Sequence, residues 1–476
     1  MESETQDLGY IFYPRSVAVA GASKRPGFAP GKGFLQALLR SGYRGGVYPL
    51  NSSGGEVLGL KAYTNISDVP EAVDHVICCI PAPHTPQLMK ECVAKGVRVV
   101  HLFTAGFAET GTEEGRRLEE EIVNIARRGG IRVIGPNCMG LICPDSGLSF
   151  FTAAQARRGP VAFLSQSGGN AQELVNMASV RGLGFSKIIS YGNAADLNEA
   201  DFLHYLARDG ESEIVAAYIE GVRDGQRFAQ ALGEAARTKP VILLKGGRTG
   251  AGTRAANSHT GSLAGSSVIW HTLCRQTGAM QINNVDELVD LVLAFVYLSP
   301  PQGRKVGVVG MGGGRSVLSA DDCESAGLIV PQFPLEVRQR LREFTPEAGT
   351  SVRNPVDSSP VVALNIQYFS RTLELVALSG VVDSLIVYLY AEIPLYADMP
   401  HLLQQHAEAI VQAAKDFGKP LAVVLATSGA PRAANMVFEA QQTCLRAGVA
   451  VYPSIGRAAR AISRFIGYHE DRGGSV

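Results

Sequence analysis

Short runs of β-branched and apolar residues alternate with longer amphipathic stretches along nearly the whole chain. A strand that is apolar at every position must be covered on both faces, and strands joined through helical stretches run parallel. The alternation therefore predicts an α/β protein of parallel sheets with helices on each side. Many of the runs end in a loop of small residues that leads into a helix. In folds of this kind such loops gather at one edge of the sheet, where ligands bind.

The 476 residues suit about three domains of roughly 150 residues. The first is expected over residues 1–144. Its strands are read at 16–20, 46–50, 75–80, 97–103 and 131–135, with helices at 32–40, 85–95 and 113–128. This is a Rossmann-like pattern. The second, over 145–301, has strands at 161–165, 187–190, 214–219 and 241–245 and a closing helix at 285–298. Ser299-Pro300-Pro301-Gln302-Gly303 reads as a linker. The third, over 302–476, opens with a strand at 305–310, the turn Met311-Gly312-Gly313-Gly314 and a helix at 315–326, followed by strands at 384–390, 421–425 and 449–452.

Composition removes several classes of function. The 44 basic and 44 acidic residues cancel, so no basic face for nucleic acid is expected. No apolar run reaches the roughly 18 residues of a membrane span. The acidic, polar start Met1-Glu2-Ser3-Glu4-Thr5 does not read as a signal or transit peptide. The 8 cysteines are scattered without a Cys-x-x-Cys pair. Cys78-Cys79 fall in an apolar strand, and Cys138 and Cys143 are read in a loop. Reduced thiols in the cytoplasm are expected, with no disulfide framework and no metal site.

The loops carry the chemistry. After the first strand come Gly21, Ala22, Ser23, Lys24, Arg25, Pro26 and Gly27, and Gly31-Lys32-Gly33 opens the next helix. Glycine lets backbone approach a phosphate, and a helix start offers free N–H groups and partial positive charge. The plain alternative is an ordinary strand–helix turn. An NAD site would place an acid at the end of the second strand. That strand ends Leu50-Asn51-Ser52-Ser53, with no acid before Glu56, which favours a different nucleotide-bearing ligand. Pro81, Ala82 and Pro83, then Thr104, Ala105 and Gly106, then Asn137 and Cys138 follow later strands and are expected at the same cleft. In the second unit Ser165, Gln166, Ser167 and Gly168 join a strand to a helix without a lysine, which suits a transient phosphate. Ser190-Tyr191-Gly192-Asn193 is another polar strand end.

Of nine histidines, only His259 sits among small residues, in Ala255-Ala256-Asn257-Ser258-His259-Thr260-Gly261-Ser262-Leu263-Ala264-Gly265. Histidine can attack phosphorus near neutral pH and leave again. The plain alternative is a capping loop before a helix at about Ser262. A nucleophilic histidine needs its second nitrogen held by an acceptor. Glu220 ends the apolar strand at 214–219 and is preferred over Asp196, Glu199, Asp201 and Asp224.

These motifs, in this order, resemble the α subunit of the NDP-forming (ADP-forming) acyl-CoA synthetases, relatives of succinyl-CoA synthetase. The resemblance runs from Ile11 to about Ile466. It includes Gly312-Gly313-Gly314 and Asn354-Pro355-Val356-Asp357 in the last unit. It implies a CoA-binding Rossmann-like domain followed by two flavodoxin-like succinyl-CoA-synthetase-type domains. It makes His259 the phosphorylated residue and Glu220 its partner. Helix starts at Ser165–Gly168 and near Gly261 and Ser262 would then hold the phosphoryl group. CoA would lie along Gly21, Ser23, Lys24, Arg25, Gly31, Lys32, Asn51, 81–83 and 104–106, with its thiol near Asn137 and Cys138. The implied reaction joins a carboxylate to CoA at the expense of ATP or GTP, through an acyl phosphate. Nucleotide and Mg²⁺ would be held by an ATP-grasp β subunit, in an α₂β₂ assembly. The chain departs from the pattern at Ser52 and Ser53, where relatives often carry lysine, and at Gly169-Asn170 and Ala194-Ala195. The competing readings are a CoA-binding sensor or scaffold of the same fold and, from the Rossmann-like start alone, an NAD-dependent dehydrogenase.

Overall fold

The computed structural model describes residues 8–23, 29–150, 156–260 and 266–473, with the side chains of 257–260 and 360–361 left aside. It divides into two compact units, Met1–Leu288 and Val289–Val476.

The first unit holds two main sheets. One is built from β1 (Ser16–Ala20), β2 (Gly46–Leu50), β5 (His75–Cys78), β6 (Val99–Leu102) and β7 (Arg132–Ile134), in the order β2-β1-β5-β6-β7 and parallel throughout. A small antiparallel hairpin, β3 (Gly55–Val57) and β4 (Leu60–Ala62), follows β2. The other sheet contains β8 (Gly140–Ile142), β9 (Arg158–Ser165), β10 (Phe185–Ser190), β11 (Ile214–Ile219), β12 (Val241–Lys245) and β13 (Met280–Ile282). Its order is β13-β12-β11-β9-β10-β8, and only β8 runs antiparallel to its neighbour.

The strands form where the apolar runs predict them because they are buried on both faces. Every residue of β1, β5, β6, β10 and β12 is buried. Helix Glu113–Gly129 shows the complementary logic. Thr112 caps its start by accepting from the N–H of Gly115, Glu113 and Glu114 occupy the first turn, and Arg127 and Arg128 the last. Charge and cap both oppose the helix dipole. Leu118, Ile122, Val123 and Ala126 bury the inner face.

One expectation changes. The segment with Cys138 and Cys143 is not simply a loop: β8 lies between them and pairs with β10 in the second sheet, Ser190 opposite Gly140. Among the other histidines, His406 is buried and packs against Phe369 with ring centroids 4.4 Å apart.

In the second unit β14 (Val306–Gly310), β15 (Val356–Asp357), β16 (Ser384–Tyr390), β17 (Leu421–Ala426) and β18 (Ala450–Tyr452) form a parallel sheet in the order β15-β14-β16-β17-β18. The Asn354 side chain stands in for a neighbouring strand. Its Oδ1 accepts from the N–H of Val308 at 3.0 Å, and its Nδ2 donates to the carbonyl of Val306 at 2.8 Å. Asp357 accepts from the N–H of Gly312 at 2.6 Å, so it anchors the glycine turn.

With the antiparallel β8 left aside, all three sheets share one doubly wound order, 2-1-3-4-5 counted within each sheet. Each has a switch point where connections from adjacent strands diverge. The switch points lie between β1 and β5, β9 and β11, and β14 and β16. Among the described residues no helix is long and apolar enough to cross a membrane.

Two histidines lie inside the first sheet. Burial, helped by their mutual repulsion and opposed by Asp74, brings His75 down to about 3, and burial brings His101 down to about 4, from an ordinary 6.5. Both rings are therefore neutral in the folded chain. Below pH 6.5 the unfolded chain binds protons that the folded chain refuses. Stability is full above that pH and falls as the pH drops toward 4. Urea unfolding at pH 7.5 and pH 5 should show a loss on the order of 2 kcal/mol per buried histidine. His75→Phe should remove one histidine's share of that slope, and a flat profile across this window in the parent chain would contradict the argument.

Candidate active site

The switch point of the second sheet lies between β9 and β11, and the two strand ends meet through one side chain. Gln166 follows β9, and its Oε1 accepts from the backbone N–H of Glu220 at 2.7 Å and of Gly221 at 3.1 Å. In return the N–H of Gln166 donates to the carbonyl of Tyr218 at 3.0 Å. This clamp fixes Glu220 just beyond β11, where it is only 5% exposed. Tyr218 donates its hydroxyl to Glu220 Oε1 at 3.1 Å.

The next strand end supplies a cation. In the β11–β12 register Lys245 lies opposite Ile219. Its Nζ donates to the carbonyl of Glu220 at 2.7 Å and to that of Gly246, and stands 5.2 Å from the centre of the Trp270 ring. Burial lowers the Lys245 ammonium to about 8, with Glu220 opposing that shift and Arg248 adding to it. Gly246 is required by close approach: a Cβ there would lie 2.6 Å from the Tyr218 hydroxyl and 3.1 Å from Glu220 Cγ.

The other acids considered for the role have structural work. Asp196 takes both Nε and Nη2 of Arg132 and the N–H of Val133. Asp201 pairs with Arg227 and completes the capping box with Asn198. Asp224 caps helix Gly225–Thr238. Glu199 is buried at the first turn of helix Glu199–Arg208, and that burial raises it to about 7.

The Ser165–Gly168 turn is partly committed. Ser165 donates to the carbonyl of Ser167 at 2.6 Å, and Gln166 is the clamp. Ser167 caps helix Gly168–Val180 by accepting from the N–H of Asn170. What the turn still offers an anion is the start of that helix, where first-turn N–H groups have no partner within the helix.

The histidine motif differs from its reading as a loop. Helix Gly250–Thr260 runs through Ala255-Ala256-Asn257-Ser258-His259-Thr260, so His259 belongs to the last turn of a helix. Gly261 and Ser262 lie outside the described residues. The helix after them is Ser267–Thr277.

At the first sheet's switch point, between β1 and β5, Gly21, Ser23, Asn51 and Pro81 line one cavity of about 630 Å³. Thr64, Asn65, His84 and Gln87 line it too. Asn51 Oδ1 accepts from the N–H of Ser53 at 2.9 Å, while its Nδ2 has no hydrogen-bond partner among the described residues. The N–H groups of Gly21 and Ala22 are not available to a phosphate, since both donate to the carbonyl of Leu50. Gly21 has φ +89°, and a Cβ on Gly31 would lie 2.6 Å from its carbonyl oxygen. Gly31 therefore serves the packing of helix Pro30–Arg40 onto the strand end. Lys32 sits in the first turn of that helix. Lys24 and Arg25 lie outside the described residues.

Ala82 and Pro83 form the short 3₁₀ turn after Pro81, Ala82 buried and Pro83 exposed. Thr104 donates to the carbonyl of Ile80 at 2.7 Å and ties two strand ends together, with Ala105 exposed beside it. The Gly106 N–H donates to Glu109 at 2.6 Å. Asn137 donates its N–H to the carbonyl of Thr104 at 3.0 Å. Cys138 is buried and its thiol is pushed up by that burial, so it packs rather than reacts.

Tyr218, Lys245 and Gly246 were missed from sequence. Lys245 carried a readable signal, since it ends an apolar strand as Glu220 does. Tyr218 and Gly246 carried none, because their roles depend on register across β11 and β12.

An open cleft beside one switch point and a clamped acid beside the next define a two-site α/β protein. Comparison with known proteins agrees. Residues 15–144 match the CoA binding domain family, and residues 158–295 match the succinyl-CoA ligase like flavodoxin domain family. The α subunit of ADP-forming acetate–CoA ligase II of Pyrococcus furiosus is 40% identical over 420 residues, covering 87% of this chain and 89% of that one. The ADP-forming acetate–CoA ligase of Methanocaldococcus jannaschii is 36% identical over 352 residues, which are 74% of this chain but 49% of that protein. The solved dinucleotide forming acetyl-coenzyme A synthetase 1 of Ca. Korarchaeum cryptofilum, in complex with phosphate and ADP, superposes with a TM-score of 0.84 at 32% identity, covering 98% of this chain and 97% of that one. The chain belongs to the α-subunit family of the NDP-forming acyl-CoA synthetases, within the succinyl-CoA synthetase superfamily, and is an acid–thiol ligase subunit. This favours the ligase reading over a CoA-binding sensor or scaffold.

Gln166→Leu keeps the side-chain bulk but leaves the N–H groups of Glu220 and Gly221 buried without their acceptor. A loss of about 2–5 kcal/mol in urea unfolding is expected. A variant as stable as the parent would show that Gln166 is not the clamp.

Proposed function

We propose that this chain binds CoA in its first sheet and carries a phosphoryl group on His259 in the reversible reaction of carboxylate, CoA and nucleoside triphosphate to acyl-CoA, nucleoside diphosphate and phosphate. The observation that carries the reading is Glu220. It is a buried carboxylate clamped at a switch point, beside the uncommitted N–H groups of a helix start.

Three steps balance. An imidazole nitrogen of His259 bonds to the γ-phosphorus as the bond to the diphosphate oxygen breaks. A carboxylate oxygen of the acid then takes the phosphoryl group and frees the imidazole. The CoA sulfur finally bonds to the acyl carbon as phosphate departs. Glu220 would accept from the second imidazole nitrogen, fixing the tautomer and balancing positive charge on the ring. The start of helix Gly168–Val180, together with Gly261 and Ser262, would face the phosphoryl oxygens.

We assign CoA to the cavity around Gly21, Ser23, Asn51 and Pro81, with Asn51 Nδ2 as a donor awaiting an acceptor. Lys24, Arg25 and Lys32 would meet its phosphates. Its thiol end would run past 104–106 toward Asn137 and Cys138.

Nucleotide and Mg²⁺ we assign to a partner β subunit of the ATP-grasp type, in an α₂β₂ assembly. The α-subunit naming of the Pyrococcus furiosus relative supports a partner. So does the Methanocaldococcus jannaschii relative, of which this chain matches 49%. We divide the chain into a CoA-binding domain at 1–144, a phosphohistidine domain at 145–301 and a ligase domain at 302–476. The eight free cysteines support a reducing, cytoplasmic setting.

The test is phosphorylation of the reconstituted pair by γ-labelled ATP or GTP. Acid-labile label is expected on the parent chain and none on His259→Ala. Glu220→Gln should label about 10- to 100-fold more slowly. Labelling of His259→Ala at the parental rate would exclude the mechanism. CoA binding without any labelling or turnover would restore the sensor reading.

A further inference from the structure

Asn193 lies just past β10 and is 3% exposed, yet all of its polar atoms are bonded, to partners from several separate segments. Its backbone N–H donates to the carbonyl of Pro136 at 3.0 Å. Its carbonyl accepts from Arg223 Nη2 at 2.9 Å. Its Nδ2 donates to Glu109 Oε2 and, at 2.9 Å, to Glu119 Oε2. Its Oδ1 accepts from Asn137 Nδ2 at 3.4 Å.

The partners continue the chain of bonds. The other oxygen of Glu109 accepts from the N–H groups of Gly106 at 2.6 Å and Phe107 at 3.1 Å. Arg223 also donates to Glu119 Oε1 at 2.8 Å. Arg223 stands three residues after Glu220, on the loop that Gln166 clamps. One uncharged side chain therefore joins the ends of β6, β7 and β10 to the loop after β11.

We propose that Asn193 is a positioning residue for transfer of the acyl group to CoA, holding the loops at 104–107 and 135–138 in register with the strand end that bears Glu220. The inference rests on assigning those loops to the thiol end of CoA. In the step concerned, a C–S bond forms while the bond from the acyl carbon to the phosphate oxygen breaks. Phosphate leaves with the electron pair, and the thiol proton goes to solvent. Asn193 touches none of these atoms.

Only asparagine meets the requirement at this size. Two amide hydrogens serve two carboxylates, and the oxygen remains an acceptor for Asn137. An aspartate of the same shape would lose both donations and face Glu109 and Glu119 with like charge.

The experiment uses Asn193→Asp and Asn193→Asp/Glu109→Gln in the chain reconstituted with its partner. In Asn193→Asp at pH 8, acyl-CoA formation should fall about 10- to 100-fold, while phosphohistidine labelling stays within about twofold. Activity should recover toward pH 6 as the introduced carboxylate takes a proton. In the double variant, the new amide donates to the new carboxylate, and its oxygen still accepts from Gly106 and Phe107. At pH 8 the double variant should therefore regain about tenfold. Hydrogen exchange supplies a readout independent of CoA: the amides of Gly106, Phe107 and Asn137 should exchange faster in Asn193→Asp. Equal loss of labelling and acyl transfer, failure of the double variant to recover, or unchanged exchange would each overturn the proposal. Should the parent chain show no phosphohistidine while exchange at those three amides still rises, the link through Asn193 stands and the functional reading fails.

Discussion

A sheet buried on both faces leaves polar chemistry few places to go. Strands such as β1, β5, β6, β10 and β12 are buried at every position. Charged and amide side chains therefore collect just beyond the strand ends, where the chain turns into a helix. Gln166, Asn193, Glu220 and Lys245 all stand at or just past the carboxyl end of a strand in the second sheet. A buried polar group in such a place is costly unless it is bonded. The geometry of this site is the answer to that cost. Gln166 receives two N–H groups, Lys245 meets two carbonyls, and Asn193 uses every polar atom it has.

The shared 2-1-3-4-5 order explains why these ends become sites rather than ordinary turns. At a switch point the connections on either side leave to opposite faces, and a crevice opens between them. The first sheet uses that crevice for an open cavity of about 630 Å³ lined by apolar side chains and mostly uncharged polar ones. The second closes it with the amide of Gln166 and keeps one carboxylate inside. The same topology thus makes an open cleft at one switch point and a tight corner at the next.

Much of this was legible in the sequence, for a physical reason. Apolar runs bounded by small residues leave little choice of strand position, so β1, β2, β11, β12 and β16 begin and end where the runs do. Glu220 was legible because a carboxylate ending an apolar strand has little room to turn away. The short edge strand β8 was not, because its glycine and cysteine surroundings resemble a loop and its pairing with β10 is long-range. The helix running through His259 was hidden for a related reason. Small residues such as Gly250, Gly252 and Ser258 suggest a turn, yet Ala251, Ala255 and Ala256 favour helix. The Asn193 network was illegible, since four of its partners are 30 to 84 residues away in sequence.

The placement of charge around these ends also separates two demands that the proposed phosphohistidine chemistry would make. Near the phosphoryl group a fixed positive charge would hold the intermediate too well, whereas helix N–H groups bind it with partial charge and release it. Lys245, the nearest cation to Glu220 along the sheet, directs its ammonium to backbone carbonyls, and burial lowers its affinity for a proton to about 8. It remains largely protonated near pH 7 and spends its donors on the Glu220 and Gly246 carbonyls, steadying the Glu220 backbone. Around Asn193 the excess is negative. Glu109 and Glu119 converge on one amide, and Arg223 pairs with Glu119. A neutral asparagine can join those carboxylates to the clamped loop without adding to that excess.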